Sequence, residues 1–168
     1  MSYTEESLRR MQQKAVANHK FIKAFILKLR RLQPQKLDKL MMDQHNQEFR
    51  NINCPECANC CKTISPAIYE RDVKRMADAL KMKTGDVIST YLQLDKEGEY
   101  GFRNTPCPFL DEKNLCEIYD SRPKACREYP HTDRKRFYQI LGITVKNTQV
   151  CPAVFNIIER VRKNNTIF

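Results

Sequence analysis

The run Cys54-Pro55-Glu56-Cys57-Ala58-Asn59-Cys60-Cys61 limits what this chain can become more than any other stretch. It holds four of the eight cysteines, spaced C-x-x-C-x-x-C-C; the other four follow at Cys107, Cys116, Cys126 and Cys151. None precedes residue 54. Two residues between cysteines let a tight turn aim both sulfurs at one point. That is the repeated unit of tetrahedral zinc sites and of iron–sulfur ligation. A third cysteine two residues on is closer to a cluster-binding run than to a single zinc knuckle. The adjacent pair adds a constraint. Neighbouring side chains diverge in most backbone conformations, so one mononuclear tetrahedral site is poorly served by both Cys60 and Cys61. The spacing predicts two metal centres side by side, or one multinuclear cluster with a second centre close by. Cys60 continues the rhythm of Cys54 and Cys57, and Cys61 is expected to reach Cys107, Cys116 and Cys126.

The compartment decides between metal and disulfides. No run approaches the ~20 apolar residues of a membrane span. The opening Met1-Ser2-Tyr3-Thr4-Glu5-Glu6 lacks the charged-then-apolar layout of a secretory signal. A cytoplasmic location is expected, where thiols stay reduced. Eight cysteines in a secreted chain would suggest disulfides, with about 105 pairings; reduced thiols at short spacing favour metal. The formal charge of +10 counts cysteines as neutral. Eight thiolates holding two dications, or two clusters, would bring the loaded protein to about +6 and weaken its attraction to acidic partners.

Downstream, the same chemistry recurs with fixed flanks: Cys107-Pro108-Phe109-Leu110, then Cys116-Glu117-Ile118-Tyr119, then Arg122-Pro123-Lys124-Ala125-Cys126-Arg127-Glu128-Tyr129-Pro130. With the C-x-x-C-x-x-C-C run, this order of motifs resembles the YkgJ-type cysteine-cluster family, over roughly residues 50 to 155. The resemblance implies zinc or iron chelation rather than an established reaction. A similar motif in flagellin lysine methylases keeps open a methyltransferase-like enzyme working beside an iron–sulfur cluster. The basic N-terminal fifty residues lie outside the shared pattern.

That N-terminal segment reads as helical. Ser2 with Glu5 suggests a capping box. Leu8, Met11, Ala15, Ile22, Phe25, Leu29 and Leu32 then recur at three-four spacing, skipping only Asn18. Arg9, Arg10, Lys14, Lys20, Lys23, Lys28, Arg30 and Arg31 flank the stripe. A basic amphipathic helix can lie on an anionic surface, pair with a partner helix or touch nucleic acid; a solvated face on a packed helix is the simplest reading. Pro34 ends this helix or starts the next, which runs to Arg50 with Leu37, Leu40, Met41 and Phe49, giving a helical hairpin.

Beyond the cysteine run, Ser65-Pro66 suggests a helix start, with Ile68, Val73, Met76, Ala77 and Leu80 on its apolar face. Residues 86–92 can form a short helix or pass into strand. Asp95-Lys96-Glu97-Gly98 predicts a turn between 91–94 and 99–103. Asp111-Glu112-Lys113-Asn114 predicts a second turn that brings Cys107 and Cys116 together. A helix from Asp120-Ser121-Arg122-Pro123 would hold Cys126 where a positive helix end favours thiolate, with Arg122, Lys124 and Arg127 offsetting its charge. Residues 137–145 suggest a strand, and Cys151-Pro152 opens a last helix. His131 is the best non-cysteine ligand candidate, ahead of His45 and His19.

These readings converge on a small α+β domain organised by metal. Residues 1–49 form a basic helical hairpin extension and 50–168 the cysteine-cluster domain. The eight ligand candidates are Cys54, Cys57, Cys60, Cys61, Cys107, Cys116, Cys126 and Cys151. The expected cofactor is zinc or an iron–sulfur cluster, [4Fe–4S] if iron, with a lean to iron–sulfur for the first block. A zinc-stabilised module is a further alternative. It would bind a protein partner through the N-terminal helix; nucleic acid is the less favoured partner. Four scattered glycines leave no phosphate-cradling loop, and no Ser-His-Asp or H-E-x-x-H arrangement is present.

Overall fold

The computed structural model describes residues 3–164. In chain order its elements are α1 (Glu5–Ala17), α2 (His19–Lys28), a 3-10 turn (Leu29–Arg31), α3 (Pro34–Phe49), the short α4 (Cys54–Cys57) and α5 (Asn59–Thr63), α6 (Glu70–Leu80) and α7 (Thr84–Tyr91). Strands β1 (Leu92–Leu94) and β2 (Tyr100–Phe102) follow, then a 3-10 turn (Tyr119–Ser121), α8 (Lys124–Glu128), a third 3-10 turn (Phe137–Ile140), α9 (Leu141–Asn147) and α10 (Pro152–Lys163). The protein is α+β: the described residues are mostly helical, with N-terminal helices and a small two-stranded antiparallel sheet. Packing divides it into two units. One runs up to Cys57 and resumes at Pro130; the other is Ala58–Tyr129.

In the first unit the apolar stripe is buried at Met11, Ala15, Ile22 and Leu29. It does not form one helix. The break falls at Asn18, where the spacing skips: φ −98, ψ 11 end α1, and the Asn18 side chain donates to the Lys14 carbonyl at 2.9 Å. The N-cap is Thr4, whose hydroxyl accepts from the Ser7 amide at 3.2 Å; Ser2 lies outside the described residues. Pro34 opens α3 at its first turn, as expected. Ile22, Ile26, Leu37 and Met41 share one core with Phe137, Leu141, Val154, Ile157 and Ile158. α2 packs on α9 and α3 on α10. The expected division between residues 49 and 50 follows the cysteine pattern; the packing units follow buried apolar faces and draw a different line.

Residues 137–145 are a 3-10 turn and a helix rather than the expected strand. Phe137, Ile140, Leu141, Thr144 and Val145 are all buried. Their three-four spacing puts them on one helical face, and that tertiary demand outweighs the strand preference of β-branched and aromatic residues. Asp38 fixes the start of the segment. Its carboxylate accepts from the amides of Arg136 at 2.7 Å and Phe137 at 2.9 Å.

The second unit is built on Ile68, Val73, Met76, Ala77, Val87, Leu92, Phe102, Phe109 and Ile118. The helix expected from Ser65-Pro66 starts later, at Glu70. Ser65 is otherwise engaged: its hydroxyl accepts from the Phe102 amide at 2.6 Å. The Ile68 amide donates to the Tyr100 carbonyl at 2.8 Å, so the segment is extended and pinned to β2. Gly101 permits this approach, since a Cβ there would meet the Ser65 hydroxyl at 2.8 Å. The first predicted hairpin is present, with Leu92 opposite Phe102 and Leu94 opposite Tyr100. Asp95 closes its turn by accepting from the Glu97 and Glu99 amides, and Gly98 supplies the φ of +81 that favours glycine.

Candidate metal centre

Cys54 and Cys57 lie on α4, and Cys60 and Cys61 on α5. The turns expected from the spacing are helical turns, separated by Ala58 in the left-handed region at φ 45, ψ 14. The sulfurs of Cys60 and Cys61 are 4.0 Å apart, so the divergence expected of neighbours is small here. None of the eight cysteines, all among the described residues, is joined in a disulfide.

In the second unit, backbone geometry brings Cys61, Cys107 and Cys116 together. The Cys107 amide donates to the Cys61 carbonyl at 2.8 Å, which seats the start of the second block beside the first. Leu110 then pairs with Cys116 across a tight hairpin. Asp111 closes that hairpin, accepting from the amides of Lys113 at 2.8 Å and Leu115 at 2.7 Å. This is the turn that the Asp111–Asn114 composition predicts. Cys126 sits on the five-residue α8.

The electrostatics show that these four feel one another. Burial pushes the Cys107 thiol up to about 11, opposed by the Phe109 amide and reinforced by the charges of Cys61 and Cys116. Burial pushes Cys126 up to about 12, with Cys61, Cys107 and Cys116 adding to it and Arg122 opposing. Cys116 is raised for the same leading reason. The expectation that Cys126 is poised as a thiolate is therefore reversed: its helix is only five residues long, and desolvation wins. Cys61 alone goes down, to about 7, chiefly through its contact with Cys60; burial opposes and Arg122 assists. Each thiolate disfavours the next, and a cation among them would reverse the sign of the whole set.

Of the three cations expected to offset this charge, Arg122 acts on the site. Its guanidinium lies 3.4 Å over the Tyr119 ring, its Nε donates to the Tyr119 carbonyl at 2.7 Å, and its charge lowers Cys61, Cys116 and Cys126. Lys124 instead pairs with Glu128 at 3.6 Å, and Arg127 donates to the Arg122 carbonyl at 2.9 Å.

Sequence reasoning missed what holds this arm. Asp72 of α6 is 1% exposed. It accepts from the Lys124 amide at 3.0 Å, the Tyr69 amide at 3.1 Å and the Arg75 guanidinium at 2.5 Å. Arg75 in turn donates to the Arg122 carbonyl at 3.0 Å. The two residues tie α6 to the segment that carries Arg122 and Cys126. One signal was available: Asp72 stands four residues from both Ile68 and Met76, inside the apolar stripe.

In the first unit, Cys151 precedes α10, with its amide bonded to the Asn147 carbonyl at 2.8 Å. Burial pushes its thiol up to about 12, against the amides of Val154 and Ala153; the charges of Cys54 and Cys57 push it further. Cys54, Cys57 and Cys151 thus form a second set. Tyr3, which the sequence did not single out, lies in the same neighbourhood. Its hydroxyl is raised to about 12 by burial, then by Glu48, Cys151 and Cys57. His45 bonds Thr132 at 2.7 Å and stacks on Phe49, and His19 bonds Gln149 at 2.9 Å. His131 adopts a left-handed φ of 66.

As placed, no three His, Cys, Asp or Glu side chains among the described residues could hold a metal ion. The donor chemistry nevertheless suits a soft metal: each set offers sulfur, from thiols that are half-buried except at the exposed Cys54.

No curated protein and no solved structure matches the chain. A family model described as a putative zinc- or iron-chelating domain matches residues 53–152, a span that includes all eight cysteines and well over half of the 168 residues. The chain therefore belongs to the CxxCxxCC family.

Proposed function

We propose that this is a cytoplasmic metal-binding protein in which all eight cysteines ligate zinc or iron–sulfur clusters, within a functional segment of residues 50–168. The supporting observation is the seating of Cys107 on the Cys61 carbonyl at 2.8 Å, with Cys116 paired back by the following hairpin. Cys61, Cys107, Cys116 and Cys126 supply one four-sulfur set. Cys54, Cys57 and Cys151 supply part of another. Soft thiolates select zinc and iron–sulfur chemistry over hard cations. The triple C-x-x-C-x-x-C rhythm favours a [4Fe–4S] cluster for the first block. The metal would supply the positive charge that the mutually repelling sulfurs lack and would contribute folding free energy. Arg122 would offset the remaining negative charge.

Anaerobic, iron-replete preparation followed by elemental analysis and an absorption spectrum tests this. Stoichiometric metal is expected, with broad absorption near about 400 nm if the centres are iron–sulfur. A colourless, zinc-loaded protein would select zinc. Absence of stoichiometric metal, with eight titratable thiols in the native state, would refute the proposal.

A further inference from the structure

The N-terminal helices carry a surface that metal binding does not use. Between Glu6 and Asp38 the sequence has nine basic residues and no acidic one, and all nine are exposed. α2 sends Ile22 and Ile26 into the core, yet it leaves Phe21 74% exposed and Leu27 42% exposed; Val16, just before the break, is 57% exposed. Phe21 and Leu27 are six residues apart, about 120° around a helix of 3.6 residues per turn. They flank an outward strip that contains Lys20, Ala24 and Lys28. Lys23 lies just beyond Leu27, and Arg30 and Arg31 extend the charge past the helix end.

We infer that the outward face of α2 docks on an anionic lipid bilayer. Large apolar tips set among lysines suit a surface that meets both headgroups and acyl chains. The lysine stems reach the headgroups while Phe21 and Leu27 enter the boundary. One of the two apolar tips on α2, Leu27, is aliphatic, which suits acyl chains; bases stack on aromatic faces. The tips project from a helix ridge, so no complementary cleft in a protein partner is needed. No helix among the described residues is long and apolar enough to cross a membrane, so the contact is peripheral. It depends on charge, because two or three side chains anchor weakly alone.

The test is flotation of the full chain with phosphatidylcholine vesicles and with vesicles containing about one quarter phosphatidylserine. Binding is expected only to the anionic vesicles, with release in high salt. Lys20→Glu with Lys23→Glu should weaken binding at least about tenfold, and Phe21→Ser at least about fivefold. These positions are exposed, so circular dichroism should match the parent. No binding to either vesicle, equal binding to both, or variants that bind like the parent would overturn the inference. So would removal of the protein from vesicles by poly(U) with the same dependence on Phe21, which would assign the face to single-stranded nucleic acid.

Discussion

The cysteines carry opposite pH signs. Cys107, Cys126 and Cys151 are raised by burial from the ordinary 9.0 to about 11, 12 and 12. Between those values the native state binds protons that the unfolded chain has lost. Their contribution is therefore fully present below pH 9.0 and is lost as pH rises through the folded values. Cys61, lowered to about 7, contributes above 9.0 and loses that contribution as pH falls through 7. Urea midpoints of the metal-free, reduced protein should therefore fall from about pH 9 upward. A flat or rising midpoint between about pH 9 and 11 would show that these thiols are not held protonated by the fold.

Elements are joined by polar ties that follow the apolar cores. The clearest links α6 to α8 through Asp72, which holds three donors at once. Asp72→Ala leaves the Lys124 and Tyr69 amides unbonded and frees Arg75, whose side chain is 37% exposed. The expected loss is about 2–3 kcal/mol in urea denaturation, kept below a fully buried pair because Arg75 reaches solvent. Metal affinity of the Cys126 set should fall with it. Asp72→Asn keeps an acceptor and should recover part of the loss. An Asp72→Ala protein with parental stability and metal content would remove the tie from the account.

For the molecule as a whole, the two sulfur sets belong to different packing units. Cys126→Ser and Cys151→Ser should therefore lose different portions of the bound metal, because serine is a harder and poorer ligand. Their double variant should lose about the sum. Anaerobic metal stoichiometry reads the result, and Cys60→Ser in the same series reads which portion Cys60 serves. Loss of all metal in either single variant would indicate one coupled centre instead of two.

Much of this was legible in the chain alone. The cysteine spacing announces soft-metal chemistry, because sulfurs two residues apart can converge in any local turn. The turns at Asp95 and Asp111 were readable because aspartate closes them through its own side chain, a contact that spans only four residues. The break at Asn18 and the start at Pro34 were marked in the same local way. Tertiary structure decided what depends on distant partners. Residues 137–145 became helix because their apolar side chains face α2 and α3 residues about a hundred positions away. Ser65 became a strand-side acceptor because β2 passes it. Cys126 became a half-buried thiol with a raised pKa because neighbouring elements take part of its water, and Asp72 became a tie because the 122–124 segment folds onto α6. Burial is a sum over the whole chain, so spacing can nominate a sulfur as a ligand but cannot fix its proton.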